Sequence, residues 1–318
     1  MTFPGMTVSR LVTAGLLLLL LAPLVVGVAA LSGIGHRWVD ILAQFTAAAL
    51  VGAVLLAASA AMIRLWPAAV AGTVVSLIVL VAGWPQWLPP TGKPKTGAPI
   101  VTLYSANVHK LNRDTEAVRA SVADARADVV VLVETPRAMA GQLDRILPGY
   151  PYRIVGLHRW SGDGTIIASR WPLKRLPRLG ETYMAAAVRT PLGEVTVFGV
   201  HLNRPWPYQF QWSQIMQVEE LAGSANGMTG PLLLAGDFNS VSSARIGRMI
   251  RADLGVIPAP GWPGTWPSSL PSLVGITIDQ VYYTPDLAMV GRRVGSRNGS
   301  DHRPVVTRFT LSEPKSRP

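Results

Sequence analysis

Residues 232–240, LLLAGDFNS, decide the fold. The run LLLA has the composition of a buried strand, and it stops abruptly at Gly236, Asp237, Phe238 and Asn239. Glycine lets the backbone bend at a sheet edge, and side chains two apart in extended chain point the same way, so Asp237 and Asn239 come side by side. The first can accept a proton or hold a cation, while the second can donate to an anion such as phosphate. Alone, a strand ending in Asp-x-Asn is more often a simple turn. Its weight comes from the other apolar strands that also end in polar groups.

Residues 100–107 (IVTLYSAN) read as a strand closing on Asn107, and 128–133 (DVVVLV) as a buried strand with Glu134 at its end, just before Pro136. Residues 183–190 and 194–200 flank Pro-Leu-Gly as a hairpin whose second strand runs into His201. Residues 276–283 (ITIDQVYY) form a strand with Asp279 in its middle, where a buried acid needs a partner. Asp301 and His302 directly precede the last strand, 304–310. Strands at 152–157 and 165–169 and helices at 113–127, 139–147, 207–223 and 245–254 fill the intervals.

This alternation predicts an α+β fold of two packed sheets with helices outside, and the polar strand ends then line one edge. Glu134, Asp237, Asp279 and Asp301 would share a cleft. Two carboxylates ~4 Å apart at an effective dielectric near ~20 repel by ~4 kcal/mol, so the cluster calls for a cation or a protonated histidine. An oxygen-rich set with Asn and His nearby, in a chain without cysteine, favours Mg²⁺ or Mn²⁺ over zinc. Arg159 and Arg170, with Arg204, are substrate-binding candidates, although solvated arginine is the ordinary reading of such residues.

The 49% hydrophobic content is concentrated near the N-terminus. Residues 1–84 hold four charges, Arg10, Arg37, Asp40 and Arg64, a net of +2, so the rest of the chain carries +9 of the total +11. That balance suits phosphate-bearing or polyanionic partners and anionic lipid. Zero cysteines exclude disulfides, thiolate metal sites and cysteine nucleophiles. Uncharged runs at 11–31, 41–63 and 65–83 are each near the ~20 residues needed to cross a bilayer, which predicts a three-helix transmembrane region over 1–84. A signal peptide is the alternative for the first run, but two more runs follow it closely. Residues 85–98, rich in Pro, Gly and Lys, read as a semi-rigid linker to a large domain at 99–311, with a tail at 312–318.

Read together, SAN at Asn107, VETP at Glu134, VHL at His201, GDFN at Asp237 and Asn239, ID at Asp279 and SDH at Asp301 and His302 resemble, in order, the motifs of the endonuclease/exonuclease/phosphatase superfamily with the DNase I-like fold. The resemblance covers about residues 99–311 and implies a four-layer α/β/β/α sandwich and a divalent-metal-dependent phosphoesterase. It implies that Glu134, with Asn107 nearby, binds the metal, and that Asp301 supports the metal or a histidine. On the same basis Asp237 orients or deprotonates water, Asn239 holds a phosphate oxygen, His201 and His302 stabilise the transition state, and Asp279 orients one of them. Gln280 departs from the pattern, since many relatives have His after the ID pair. His109 and His158 match no motif and read as surface or packing residues.

With its three spans the chain looks like the membrane-bound branch that includes the teicoplanin and vancomycin resistance-associated proteins. That likeness implies a multi-pass cell-membrane protein with an extracytoplasmic domain acting on a lipid-linked phosphate such as undecaprenyl pyrophosphate. The positive-inside count is nearly balanced or adverse and does not set the orientation. Two other classes fit the same sequence. One is a membrane-tethered nuclease, which the basic charge and Trp160, Trp206, Tyr208 and Trp212 would suit; the other is a non-enzymatic envelope protein that keeps the fold.

Overall fold

The computed structural model describes residues 8–158, 162–177, 183–205 and 212–313. Arg159, Trp160, Trp206, Tyr208 and residues 314–318 lie outside the described residues. In chain order the strands are β1 (Val101–Asn107), β2 (Val129–Val133), β3 (Tyr152–Leu157), β4 (Gly164–Ser169), β5 (Leu173–Arg175) and β6 (Tyr183–Thr190). They continue with β7 (Gly193–His201), β8 (Leu232–Asp237), β9 (Ile257–Pro258), β10 (Asp279–Tyr283), β11 (Leu287–Val294) and β12 (Val305–Leu311). Four N-terminal helices, α1 (Val8–Ser32), α2 (Arg37–Ala43), α3 (Thr46–Met62) and α4 (Trp66–Trp87), precede them. Interspersed with the strands are α5 (Thr115–Ala125), α6 (Arg137–Ala140), α7 (Leu143–Ile146), α8 (Ser213–Ala225) and α9 (Arg245–Leu254).

The strands form two six-stranded sheets, β11-β12-β1-β2-β4-β3 and β5-β6-β7-β8-β10-β9. Their inner faces pack on each other through Leu103, Val131 and Ile167 from one sheet and Val197, Ala235 and Val281 from the other. Tyr104, Val130 and Leu132 on the first outer face meet Val118 and Val122 of α5, while Phe198 and Leu234 on the second meet Val218 of α8 and Ile250 of α9. Strands buried on both faces explain the near-continuous apolar runs in the sequence. The result is the expected α+β two-sheet sandwich with a helical layer on each side. Because β1 and β2 are parallel, and β7 and β8 are parallel, the C-terminal ends of each pair open on one edge.

Several elements differ from the sequence reading. Asp279 opens β10 instead of sitting mid-strand, because its ladder partner β8 ends opposite it at Asp237. The helix expected over 139–147 is two single turns, α6 and α7, separated at Gly141. The strands β5, β9 and β11 were not anticipated: the first two are very short, and β11 is broken by a register shift between Met289 and Gly291.

Gly236 shows why the motif needs glycine. Its φ is +147°, and a Cβ there would lie 1.9 Å from the carbonyl oxygen of Val200 on β7. Gly236→Ala is therefore expected to destabilise the protein by about 3 kcal/mol or more, since the neighbour is backbone and cannot step aside. Thermal unfolding of the detergent-solubilised full chain checks this, and an unchanged Tm would contradict it.

At the N-terminus, α1 and α4 are each long and apolar enough to cross a membrane. The second uncharged run is not one helix. It breaks at Gln44 and Phe45 into α2 and α3, which meet at 55° and amount to a third span only if the bent pair is counted as one. The break lies where the sandwich holds the chain: Asp40 of α2 pairs with Arg245 at 2.9 Å, and the Gln44 Nε2 donates to the carbonyl of Asn239 at 3.3 Å. Close packing of α3 on α4 depends on small residues, with Gly72 against Ala57.

The stretch expected to be a linker is tied down. The α4 helix continues through Pro85 to Trp87; Met289 N donates to Thr91 O at 2.8 Å, and Lys95 N to Leu311 O at 2.8 Å.

Candidate active site

The site lies at the sandwich edge where β1, β2, β7 and β8 end and β10 begins. Register brings three chemical groups into one row: His201 on β7 pairs with Asp237 on β8, which pairs with Asp279 on β10. Across the gap between sheets, Asn107 on β1 pairs with Val133, the residue before Glu134. The Asn107 Nδ2 closes the gap, donating to Glu134 Oε1 and to Asp237 Oδ2, both at 3.0 Å. Its Oδ1 accepts from the His109 amide at 2.8 Å, so Asn107 presents N–H to the carboxylates and its oxygen is already engaged.

Two donor clusters follow. Glu134, His201 and Asp237 form one, with His201 Nε2 at 3.2 Å from Glu134 Oε1. Asp237, Asp279 and His302 form the other, with His302 Nδ1 at 2.9 Å from Asp279 Oδ2 and Nε2 at 3.9 Å from Asp237 Oδ2. Of these residues Glu134, His201, Asp237 and His302 line a cleft of about 690 Å³.

Electrostatics separate the acids. Burial raises the Glu134 carboxyl, but the hydrogen bond and charge of His201, with the N–H groups of Asn107 and Lys110, pull it well below the usual range. Asp237 is pushed up to about 6, chiefly by burial and further by Asp279, against the opposing charges of His302 and His201. His201 is shifted up despite burial, by its bond to Glu134 and the charges of Asp237, Glu134 and Asp163. Burial also opposes charge on His302, yet the Asp279 and Asp237 carboxylates push it up to about 10, so it is a cation at neutral pH.

Backbone geometry is equally specific. Glu134 and Asn239 are non-glycine residues in the left-handed region, at φ +49° and +48°, a strain that a surrounding framework must hold. For Asn239 that framework is visible. The Asp237 Oδ1 accepts from the Asn239 amide at 2.8 Å, and the Asn239 Nδ2 donates to Leu202 O at 2.8 Å. Three glutamine amides hold the carbonyls of the same loop: Gln214 reaches Phe238 and Asn239, Gln44 reaches Asn239, and Gln280 donates to Ser240. The departure at Gln280 is thus a buried loop clamp.

Of the residues singled out from sequence, Asn107, Glu134, His201, Asp237, Asn239, Asp279 and His302 converge through these bonds. Asp301 reaches the cleft wall, where the Trp266 Nε1 donates to its Oδ2 at 3.3 Å, but it belongs to neither donor cluster. Arg204 lines the cleft. Arg170 does not: it follows β4, which runs antiparallel to β2, so it sits at the far edge beside Asp128 at 3.9 Å and over the Tyr150 ring. Arg159 lies outside the described residues. His109 and His158, expected on the surface or in packing, both line the cleft, and His158 Nδ1 is 3.6 Å from Asp163 Oδ1. Asp163 itself is buried in the cleft wall; the SGDG turn before β4 was the signal for it.

The donor set fits a divalent cation. Three carboxylates and two imidazoles converge, there is no sulfur, and Asp279 Oδ1 is buried without a partner. Acids at parallel strand ends, a cationic histidine oriented by one of them and a site for a hard cation define a metal-dependent hydrolase of phosphoester bonds. The chain belongs to the Endonuclease/Exonuclease/phosphatase family, whose model matches residues 104–302.

Solved structures agree on the fold. The endonuclease/exonuclease/phosphatase from Beutenbergia cavernae DSM 12333 is 21% identical with a TM-score of 0.51, over 67% of this chain and 72% of that one. The mannosyl-6-phosphatase Bt3783 of Bacteroides thetaiotaomicron VPI-5482 is 16% identical with a TM-score of 0.53, over 66% of this chain and all (100%) of that one. The endonuclease domain of TRAS1, a telomere-specific non-LTR retrotransposon, is 16% identical with a TM-score of 0.53, over 68% and 100%. No curated protein sequence matches the chain.

Proposed function

We propose that this protein is a membrane-anchored hydrolase of a lipid-linked phosphate or pyrophosphate, using Mg²⁺ or Mn²⁺. The observation that carries this reading is Gln44. It comes from the apolar N-terminal region, yet it lines the catalytic cleft and bonds the Asn239 carbonyl, so the mouth of the site is built partly by the anchor. A tether that only localised an enzyme would not need to reach its catalytic loop. Confinement to one surface with an embedded substrate also raises effective concentration. The extracytoplasmic placement of the domain rests on the likeness to the membrane-bound branch, and a reporter fused after Pro318 tests it.

Glu134 would hold the cation, kept ionised by Asn107 and His201, with Asp237 sharing it and Asp301 supporting from the wall. When bound, the cation polarises a phosphoryl oxygen. Asp237 orients the attacking water and takes its proton. The second N–H of Asn239 Nδ2 remains to donate to a phosphate oxygen, and the Nε2 of cationic His302 to the oxygens where charge builds.

Phosphate release from a polyprenyl diphosphate by purified full-length protein in detergent tests the reading. Stripping divalent ions with EDTA is expected to cut the rate at least ~100-fold, with Mg²⁺ or Mn²⁺ restoring it. Absence of release across a pH series, or steeply salt-dependent DNA cleavage instead, would defeat the lipid reading in favour of a nuclease.

A further inference from the structure

Between α1 and α3 lies a groove of about 310 Å³ whose walls include Leu19, Pro23, Phe45, Ala49, Gly52 and Leu56. Every described residue lining it is apolar. Phe45 in this groove is the chain neighbour of Gln44 in the catalytic cleft, so the chain passes from one space to the other at a single corner, between residues whose Cα atoms are ~3.8 Å apart. We propose that this groove receives the hydrocarbon chain of the substrate whose phosphate occupies the cleft.

The proposal rests on the lipid-phosphate reading above and adds the place where the chain goes. Three features select this occupant. The two spaces differ sharply in chemistry, acids and histidines on one side of the corner and only hydrocarbon on the other, which matches one amphiphile with a polar head and an apolar tail. The corner is fixed to the catalytic domain by the Asp40–Arg245 pair and by Gln44, so a tail in the groove sets the position of its head. One wall of the groove, α1, is long and apolar enough to cross a membrane, and the other, α3, is so together with α2 as a bent pair; a membrane is the medium that already holds such tails. Bilayer lipid is as apolar as these walls, so the groove adds little affinity; it adds placement, holding the phosphate at the depth of Asp237 and His302.

Gly52 provides the test, because it lines the groove and a Cβ built there meets nothing within 4 Å, so a larger side chain starts out into open space. Gly52→Phe in the full chain would be assayed in detergent on prenyl diphosphates with the same head group, one short and water-soluble and one long. Gly15→Phe, equally unobstructed on α1 but outside the groove, controls for added apolar bulk. Wild type is expected to favour the long chain, and Gly52→Phe to lower kcat/KM for it about 10-fold or more while leaving the short substrate and the Gly15→Phe control unchanged. Equal loss on both substrates, or a long-chain preference that survives Gly52→Phe, would overturn the groove assignment while leaving the lipid hydrolase standing. No release from either substrate by wild type would overturn the hydrolase reading itself, and the groove assignment with it.

Discussion

Full-length protein carrying Asp237→Asn is expected to lose about 10³-fold in kcat, the largest effect of any single substitution here, because an amide cannot take the proton of the attacking water. The exchange is nearly isosteric. The Oδ1 position still accepts from the Asn239 amide, so the strained loop keeps its first hold. At the Oδ2 position the new amide meets the Asn107 Nδ2 as donor against donor, a cost of ~1–3 kcal/mol. Removing a buried carboxylate from beside Asp279 offsets part of that cost, so stability is expected to change little. Steady-state kinetics alongside a melting curve check both halves. Activity within tenfold of wild type would remove Asp237 from the proton-accepting role.

The second large effect belongs to the His302–Asp279 pair. Asp279→Asn is expected to lower kcat by about 10²-fold with little change in KM, since it withdraws the carboxylate that keeps the imidazole cationic and turned toward the cleft. His302→Gln is expected to cost at least as much, and also to destabilise the fold by about 3 kcal/mol, because it leaves the buried Asp279 without its charge partner. The two residues act as one unit, so the double variant should be hardly slower than His302→Gln alone. Multiplicative losses, each variant contributing its full factor, would show that they act independently.

The residues that could be read from sequence share one property: each stands where an apolar strand stops. In a sandwich built from parallel pairs, such stops fall on the same edge, and for that reason Glu134, His201 and Asp237 can be brought together from sequence. Asp279 was legible as an acid in an apolar context, but its position at the start of β10 depended on where β8 ended. The glutamines were not legible. They act through main-chain carbonyls, across 24 residues for Gln214, 40 for Gln280 and 195 for Gln44, and nothing in their own surroundings marks that use. Arg170 was misplaced for a related reason: strand direction decides which end of β4 faces the cleft, and composition carries no direction. The N-terminal runs gave apolar length correctly, but the bend at Gln44 and Phe45 coincides with a bond to a surface far away in the chain, which local composition does not mark.

The residue before helix α9 is Ala244, with no side chain able to receive the free N–H groups there. The Arg245 amide is instead taken by Asp40 Oδ1 at 3.2 Å, from 205 residues away, while the Arg245 guanidinium also reaches Gly35 O at 3.0 Å. Ala43 is buried against Val241 and Ala244 in the same patch. Cutting the chain at about residue 99 to obtain an easily handled fragment would therefore uncap a helix, strand a largely buried guanidinium and bare an oily spot beside the catalytic loop. What looks like packaging is a structural part of the enzyme, and any crystallised or assayed fragment lacking it would describe a different object.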